Sequence, residues 1–222
     1  MNNVNPYVFP QNEIEKLPNS FYSHAEAIYH LSEVGIEVKQ TRVADWLGVS
    51  RANVSQVTGR MQNSGLIELS DELILTEKGS YLAKMISRRR RIIERFLSEI
   101  LNLPWDQVYK ETKKWENVLS SVTEDAMLKI LGNPTTGIFG NPIPYSGYFE
   151  GPMKKLLDGK VNKKYSIVKI SEELKKDSTV ISFLQKNKIY ISDTNEYSIT
   201  VSVSKDQFFG LDQFIAERVY VG

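Results

Sequence analysis

The sequence contains no cysteine. Disulfides, thiolate metal sites and cysteine nucleophiles are excluded together. Histidine is scarce as well: His24 and His30 are the only two. On a helix they stand about 240° apart, so they cannot chelate one ion together, and each reads as a surface or packing histidine. No stretch approaches the ~18 consecutive apolar residues of a membrane span. The opening MNNVNPYVFP has neither the basic flank nor the apolar core of a secretory signal, so a cytoplasmic protein without a membrane partner is expected. Charge of one sign is also missing: 28 Lys and Arg stand against 27 Asp and Glu, and any surface for nucleic acid must be local. The patterns GxxxxGK[ST], GxGxxG and HExxH do not occur, which leaves an enzyme reading and its catalytic residues without support.

What is present, in 222 residues, is enough chain for one large domain or two small ones. After an extended arm of about ten residues, Phe21, Ala25, Ile28 and Leu31 recur at spacings of three and four. They predict a helix from about Asn19 to Val34, stopped by Gly35. In "KQTRVADWLGVSRANVSQVTGRMQNSGLI", Val43, Ala44 and Leu47 mark a short helix and Gly48-Val49-Ser50 a turn. Val54, Val57 and Met61 mark a second helix capped by Ser50. This is a helix-turn-helix pattern. "LIELSDELILTEKG" then reads as two short strands around Ser70-Asp71-Glu72, a wing. Thr76 is placed to cap a long helix carrying Leu82, Met85, Ile86, Ile92, Ile93, Phe96, Leu97 and Ile100 on a helical period. One small domain cannot cover that helix, so a partner surface is expected. Further helices follow from about Trp105 to Leu119 and from Thr123 to Leu131.

From Asn133 to Gly151 the chain is rich in Pro and Gly and loses helical period, as a linker or ordered loop does. Beyond it "YSIVKI", "KIYIS", "YSITVSV" and "RVYVG" are short β-branched and aromatic runs. The expected fold is mainly α: a winged helix-turn-helix over residues 1–80, a helical dimerisation domain over 81–147, a linker at 148–160 and a small β-rich domain over 161–222. Phe208, Phe209, Phe214 and Tyr220 are expected in the core of that last domain.

A recognition helix needs short polar side chains at its N-terminal end, because that end enters the major groove and meets base edges. Ser50, Arg51, Ala52, Asn53, Ser55 and Gln56 occupy those positions, with Arg42 and Arg60 nearby. Asn and Gln can pair with adenine, and Arg with guanine or phosphate. Wing residues could add backbone contacts. A bare αα-hairpin that only packs would not need this set. Double-stranded DNA is therefore the expected partner, against the alternative of a module that binds a peptide or small ligand. The run Arg88-Arg89-Arg90-Arg91 covers a whole helical turn, so its guanidinium groups point in different directions. It reads as a solvated, salt-bridged surface and not as a second DNA contact.

Several phrases resemble the iron- and manganese-dependent regulators of the diphtheria toxin repressor and manganese transport regulator family: "AIYHLSE", "VSRANVSQVTGRMQNSGLIEL", "LTEKGSYLA", "RIIERFLSEILNL", "KWENVLS" and, most specific, "FGNPIP" at Phe139–Pro144. The resemblance covers about residues 20–147 and is looser beyond Lys160, where that family often carries an SH3-like or FeoA-like domain. It implies a repressor: a homodimer with winged-helix DNA-binding domains that binds a palindromic operator when a divalent metal is bound.

The ligands that the resemblance implies do not carry over. The positions of the principal metal pocket hold Ser23, Lys113, Glu116 and Asn117, and those of the second pocket hold Arg90, Glu94 and Tyr109. First-row divalent ions need several converging imidazole, carboxylate or thiolate donors, and one Glu remains in each set. No cofactor is predicted; a divalent Mn or Fe ion at a non-standard site is the alternative. Lys113 stands three residues before Glu116 and Arg90 four before Glu94, spacings that put opposite charges side by side on a helix. These cations are expected to replace the metal's charge and leave a regulator that is active without metal.

Overall fold

The computed structural model of the protein describes residues 17–33, 35, 37–116, 118–185, 188–194, 198–204 and 207–222. The N-terminal arm, Val34 and Asn117 lie outside the described residues. The chain forms two compact units, Met1–Arg89 and Arg90–Gly222.

In the first unit, α1 (Asn19–Glu33), α2 (Gln40–Leu47) and α3 (Arg51–Asn63) are followed by the antiparallel strands β1 (Ile67–Leu69) and β2 (Leu73–Leu75) and by the start of α4 (Glu77–Arg95). The apolar stripes explain the assembly. Phe21, Ala25, Ile28 and Leu31 from α1, Val43 and Ala44 from α2, and Val54, Val57 and Met61 from α3 are all buried, and they form one core with Leu66, Ile67, Leu73 and Leu82. Gly48 takes the left-handed backbone at the end of α2. Ser50 caps α3, its hydroxyl accepting from the Asn53 amide at 3.2 Å. Removing that acceptor in Ser50→Ala is expected to lower stability by about 1 kcal/mol, measurable as a shift of the urea midpoint at constant slope. Thr76 behaves as expected of a cap: its hydroxyl accepts from the Gly79 amide at 3.1 Å and donates to the Gly65 carbonyl at 2.7 Å, so one residue joins the wing to the helix after it.

In the second unit α4 runs into a wider turn, Phe96–Ile100, followed by α5 (Trp105–Trp115) and α6 (Ser121–Ile130). A six-stranded antiparallel sheet follows: β3 (Lys154–Lys155), β4 (Lys164–Ile170), β5 (Lys188–Thr194), β6 (Ser198–Ser204), β7 (Gln207–Asp212) and β8 (Val219–Val221), in the order β3-β8-β4-β5-β6-β7. Between these strands lie a 3₁₀ turn at Glu172–Lys176, α7 (Ser178–Leu184) and the single-turn α8 (Gln213–Ala216). The sheet core of Ile170, Leu174, Ile181, Ile191, Val201 and Val221 also takes in Trp105 from α5 and Phe139 from the loop after α6.

Three expectations need correction here. The stretch 148–160 is not simply a linker: Lys154 and Lys155 pair with β8, and Leu156 is fully buried in the sheet core. Likewise the helices after Arg89 and the β domain fall in one compact unit. Of the aromatics assigned to the core, Phe208 and Phe214 are exposed. Phe208 alternates outward along β7, and Phe214 lies under the Arg218 guanidinium, 3.7 Å from its ring centre; Phe209 stacks on Phe183. Among the described residues no helix is long and apolar enough to cross a membrane.

Candidate nucleic-acid interface and a closed charge cluster

The helical period of α3 separates its residues into two sets. Val54, Val57, Thr58 and Met61 face the core, and the Thr58 hydroxyl donates to the Val54 carbonyl at 2.8 Å. Ser50, Arg51, Ala52, Asn53, Ser55, Gln56 and Arg60 are all exposed, as is Arg42 on α2. At about 100° per residue, Ala52, Ser55 and Gln56 centre the outward face, with Arg51 and Asn53 on its flanks. Gly59 lies on the same face, and a Cβ there would meet no atom within 4 Å. The face is therefore short-chained, polar and uncluttered.

The wing tip is different. The Ser70 hydroxyl accepts from the Glu72 amide and donates to its carbonyl, which leaves Asp71 and Glu72 as the charged groups at the turn. Their charge helps hold the Lys39 ammonium above its ordinary pKa, after the larger effect of its hydrogen bond to Glu37. The tip thus carries two acidic side chains close to Lys39.

Both histidines are buried packing groups, not surface ones. The His24 Nδ1–H donates to the Ser20 carbonyl at 2.7 Å. Burial, helped by Arg60, holds its pKa below the ordinary value against that bond. His30 lies 3.5 Å from Glu26 and 3.0 Å from Glu33, with Trp46 stacked on its ring.

The family's metal positions are divided. Ser23 belongs to the first unit, its hydroxyl donating to the Ser20 carbonyl, and Asn117 is outside the described residues. In the second unit Glu116 takes two hydrogen bonds on one oxygen, from Arg90 Nε at 2.9 Å and Nη2 at 2.7 Å. Lys113 is exposed, its ammonium 5.4 Å from the Tyr109 ring centre. Glu94 is completely buried, and its hydrogen bonds come from Lys175: the Nζ donates to Oε1 at 2.8 Å and to Oε2 at 2.9 Å. The same ammonium lies 2.6 Å from Glu172 Oε2 and 4.8 Å from the Phe139 ring centre. Glu172 Oε1 in turn accepts from Arg91 Nε and Nη2 at 3.2 and 3.1 Å, while Arg91 Nη1 donates to the Pro142 carbonyl.

Thus Arg90, Arg91 and Lys175 meet Glu94, Glu116 and Glu172, three cations against three anions, all with little or no solvent exposure. The pairing expected from helix spacing is redrawn. Arg90 is bonded to Glu116, and Glu94 is served by a lysine 81 residues away. Within the arginine run, expected to be solvated and salt-bridged, Arg88 and Arg91 are buried, and Arg90 and Arg91 are ion-paired. Sequence reasoning missed Arg91, Glu172 and Lys175 as members of the cluster. The signal available was the Glu172–Lys175 spacing of three in "EELKK", which looks like any exposed charged turn.

These residues do not fit a divalent ion. The second pocket offers one carboxylate, a guanidinium and a phenol, and an ammonium already touches both oxygens of the carboxylate. Burial pushes the Glu94 carboxyl up, Glu172 adds to that, and Lys175 and Arg90 oppose it, so the anion depends on its neighbouring cations. An added divalent ion about 4 Å from the ammonium would meet repulsion of roughly 8 kcal/mol at an effective dielectric of about 20.

The chain carries, in order, a winged helix-turn-helix, a helical segment and a six-stranded antiparallel sheet domain. Residues 76–145 match the family described as iron dependent repressor, metal binding and dimerisation domain. The iron-dependent repressor IdeR of Mycobacterium tuberculosis is 39% identical over 133 residues, 59% of this chain and 58% of that protein. The diphtheria toxin repressor of Corynebacterium jeikeium is 37% identical over 123 residues, 54% of this chain and 51% of that protein. The manganese regulator SloR has the same fold, with a TM-score of 0.72 at 20% identity, covering 93% of this chain and 99% of that one. Over these stretches the chain is similar to iron-dependent and diphtheria toxin repressors, and its fold is similar to that of SloR. It spans a little over half the length of the repressors to which its sequence is similar.

Proposed function

We propose that the protein is a sequence-specific DNA-binding transcriptional regulator that acts as a homodimer on a palindromic operator and needs no metal at the family's usual positions. The observation that carries the reading is the outward face of α3, where every residue assigned to base or phosphate contact is exposed while the opposite face is sealed in the core. Dimerisation is supported by the family's description of residues 76–145. Val118, Val122 and Ile130, large apolar groups left exposed on and beside α6, support it as well. Metal independence is supported by the closed charge cluster, which occupies the remaining carboxylates.

Binding of a two-fold symmetric duplex after exhaustive chelation tests the reading: retained affinity supports it, and affinity that returns only with Mn or Fe favours a metal-responsive repressor with non-standard ligands. Gln56→Ala is expected to cost ~1–3 kcal/mol on the specific site and to spare nonspecific DNA; equal loss on all sequences would count against base reading by α3. The exposed position of Lys113 makes Lys113→Ala an expected bystander in the same assay.

A further inference from the structure

We propose that the Lys175 ammonium is the resident cation of the second family pocket, and that Glu94 and Glu172 beneath it form a latent divalent-cation site that Lys175 keeps closed. This deepens the metal-independent reading and rests on it. Both carboxylates lie within 2.9 Å of the one nitrogen, so they already converge on a point. A divalent ion bound by oxygen donors requires such convergence. The Lys175 and Glu94 side chains are each 1% exposed and that of Glu172 7%, so water does little to relieve the charge of either carboxylate. Lys175 sits in the 3₁₀ turn that leaves β4, and Glu94 in α4. The cation therefore bridges two separate elements of the second unit, as a bound ion would, but it is covalently part of the chain.

Removing the ammonium leaves Glu94, Glu116 and Glu172 against Arg90 and Arg91, one negative charge in excess and two carboxylates facing each other. Lys175→Gln creates this state and supplies an amide oxygen as a further donor. Thermal melts of the full chain, without DNA, test the idea with MnCl2 at about 1 mM against EDTA. The wild type is expected to change by less than about 1 °C. Lys175→Gln is expected to melt lower in EDTA and to regain about 5 °C or more in Mn, through preferential binding to the folded state. Lys175→Arg, which keeps the charge, is expected to ignore Mn, as is Lys175→Gln/Glu94→Gln, which removes an anion with the cation.

A wild type stabilised by Mn as much as the Gln variant would overturn the proposal. So would a Gln variant that melts like the wild type, or that melts lower and does not respond to Mn. Should Lys175→Gln be unfolded in EDTA, refolding in Mn replaces the melt. Recovery only with Mn supports the latent site, and no recovery while the double variant folds normally refutes it. Since no arm contains DNA, failure here leaves chelator-resistant operator binding standing, and failure of operator binding leaves these melts readable.

Discussion

Arg91→Ala is expected to lower the unfolding free energy by roughly 3–5 kcal/mol, the range found when one partner is removed from a buried ion pair. The side chain is 1% exposed and donates to Glu172 Oε1 through Nε and Nη2 and to the Pro142 carbonyl through Nη1. Its stem is covered by Gly137, where an added Cβ would lie 3.1 Å from Arg91 Cβ. Truncation leaves Glu172 short of a cation in a place with little water and opens a void beside Gly137. Urea unfolding followed by circular dichroism reads the loss. The control is Arg91→Met/Glu172→Gln, which keeps the stem and removes the stranded anion, and it is expected to recover a large part of the stability. A single variant within about 1 kcal/mol of wild type would show that the cluster is hydrated and that its pairs act as surface pairs do.

The first unit was legible because its signals are local. Apolar residues three and four apart, Ser50 before α3, Gly48 at a left-handed position and Thr76 before α4 each fix the chain within a turn or two. The outward face of α3 followed from the same period, since the residues left over from the core stripe are the exposed ones. The charge cluster was not legible, because Lys175 reaches Glu94 across 81 residues and nothing near either residue announces the other. Helix spacing suggested Arg90 with Glu94 and Lys113 with Glu116, which a free helix would favour by a few tenths of a kcal/mol. Tertiary burial overrode that preference: Glu94 is buried too deeply to be served from a helix surface, and the 3₁₀ turn at Glu172–Lys176 brings an ammonium to it. The strand β7 escaped notice for a related reason. Its residues Gln207–Asp212 alternate around Gly210 with two exposed positions at the start, so its hydrophobic pattern is weak, and pairing with β6 determines it. Short β3 has no pattern of its own and exists because β8 is beside it.

The phrase "FGNPIP" carried the family resemblance without a stated cause, and its glycine supplies one. Gly140 has φ +77°, and a Cβ there would fall 1.8 Å from the Val168 carbonyl oxygen and 2.8 Å from its carbon. The neighbouring residues hold the loop against β4. The Ile170 amide donates to the Phe139 carbonyl and the Asn141 side-chain amide to the Ile170 carbonyl, both at 2.8 Å. Phe139 meets Trp105 edge-on in the sheet core and lies under the Lys175 ammonium, and the Pro142 carbonyl accepts from Arg91. Displacing Gly140 therefore disturbs the sheet and the charge cluster together. Gly140→Ala is expected to cost more than about 3 kcal/mol, the left-handed backbone accounting for ~1–2 kcal/mol and the collision with backbone for the rest. Gly132 isolates the backbone contribution: its φ is +74° and a Cβ there meets nothing within 4 Å, so Gly132→Ala is expected to show that ~1–2 kcal/mol cost alone. Equal losses in urea unfolding for the two variants would mean that the loop is not pressed onto β4, and that its hold on Arg91 and Phe139 is too loose to keep Lys175 in place over Glu94.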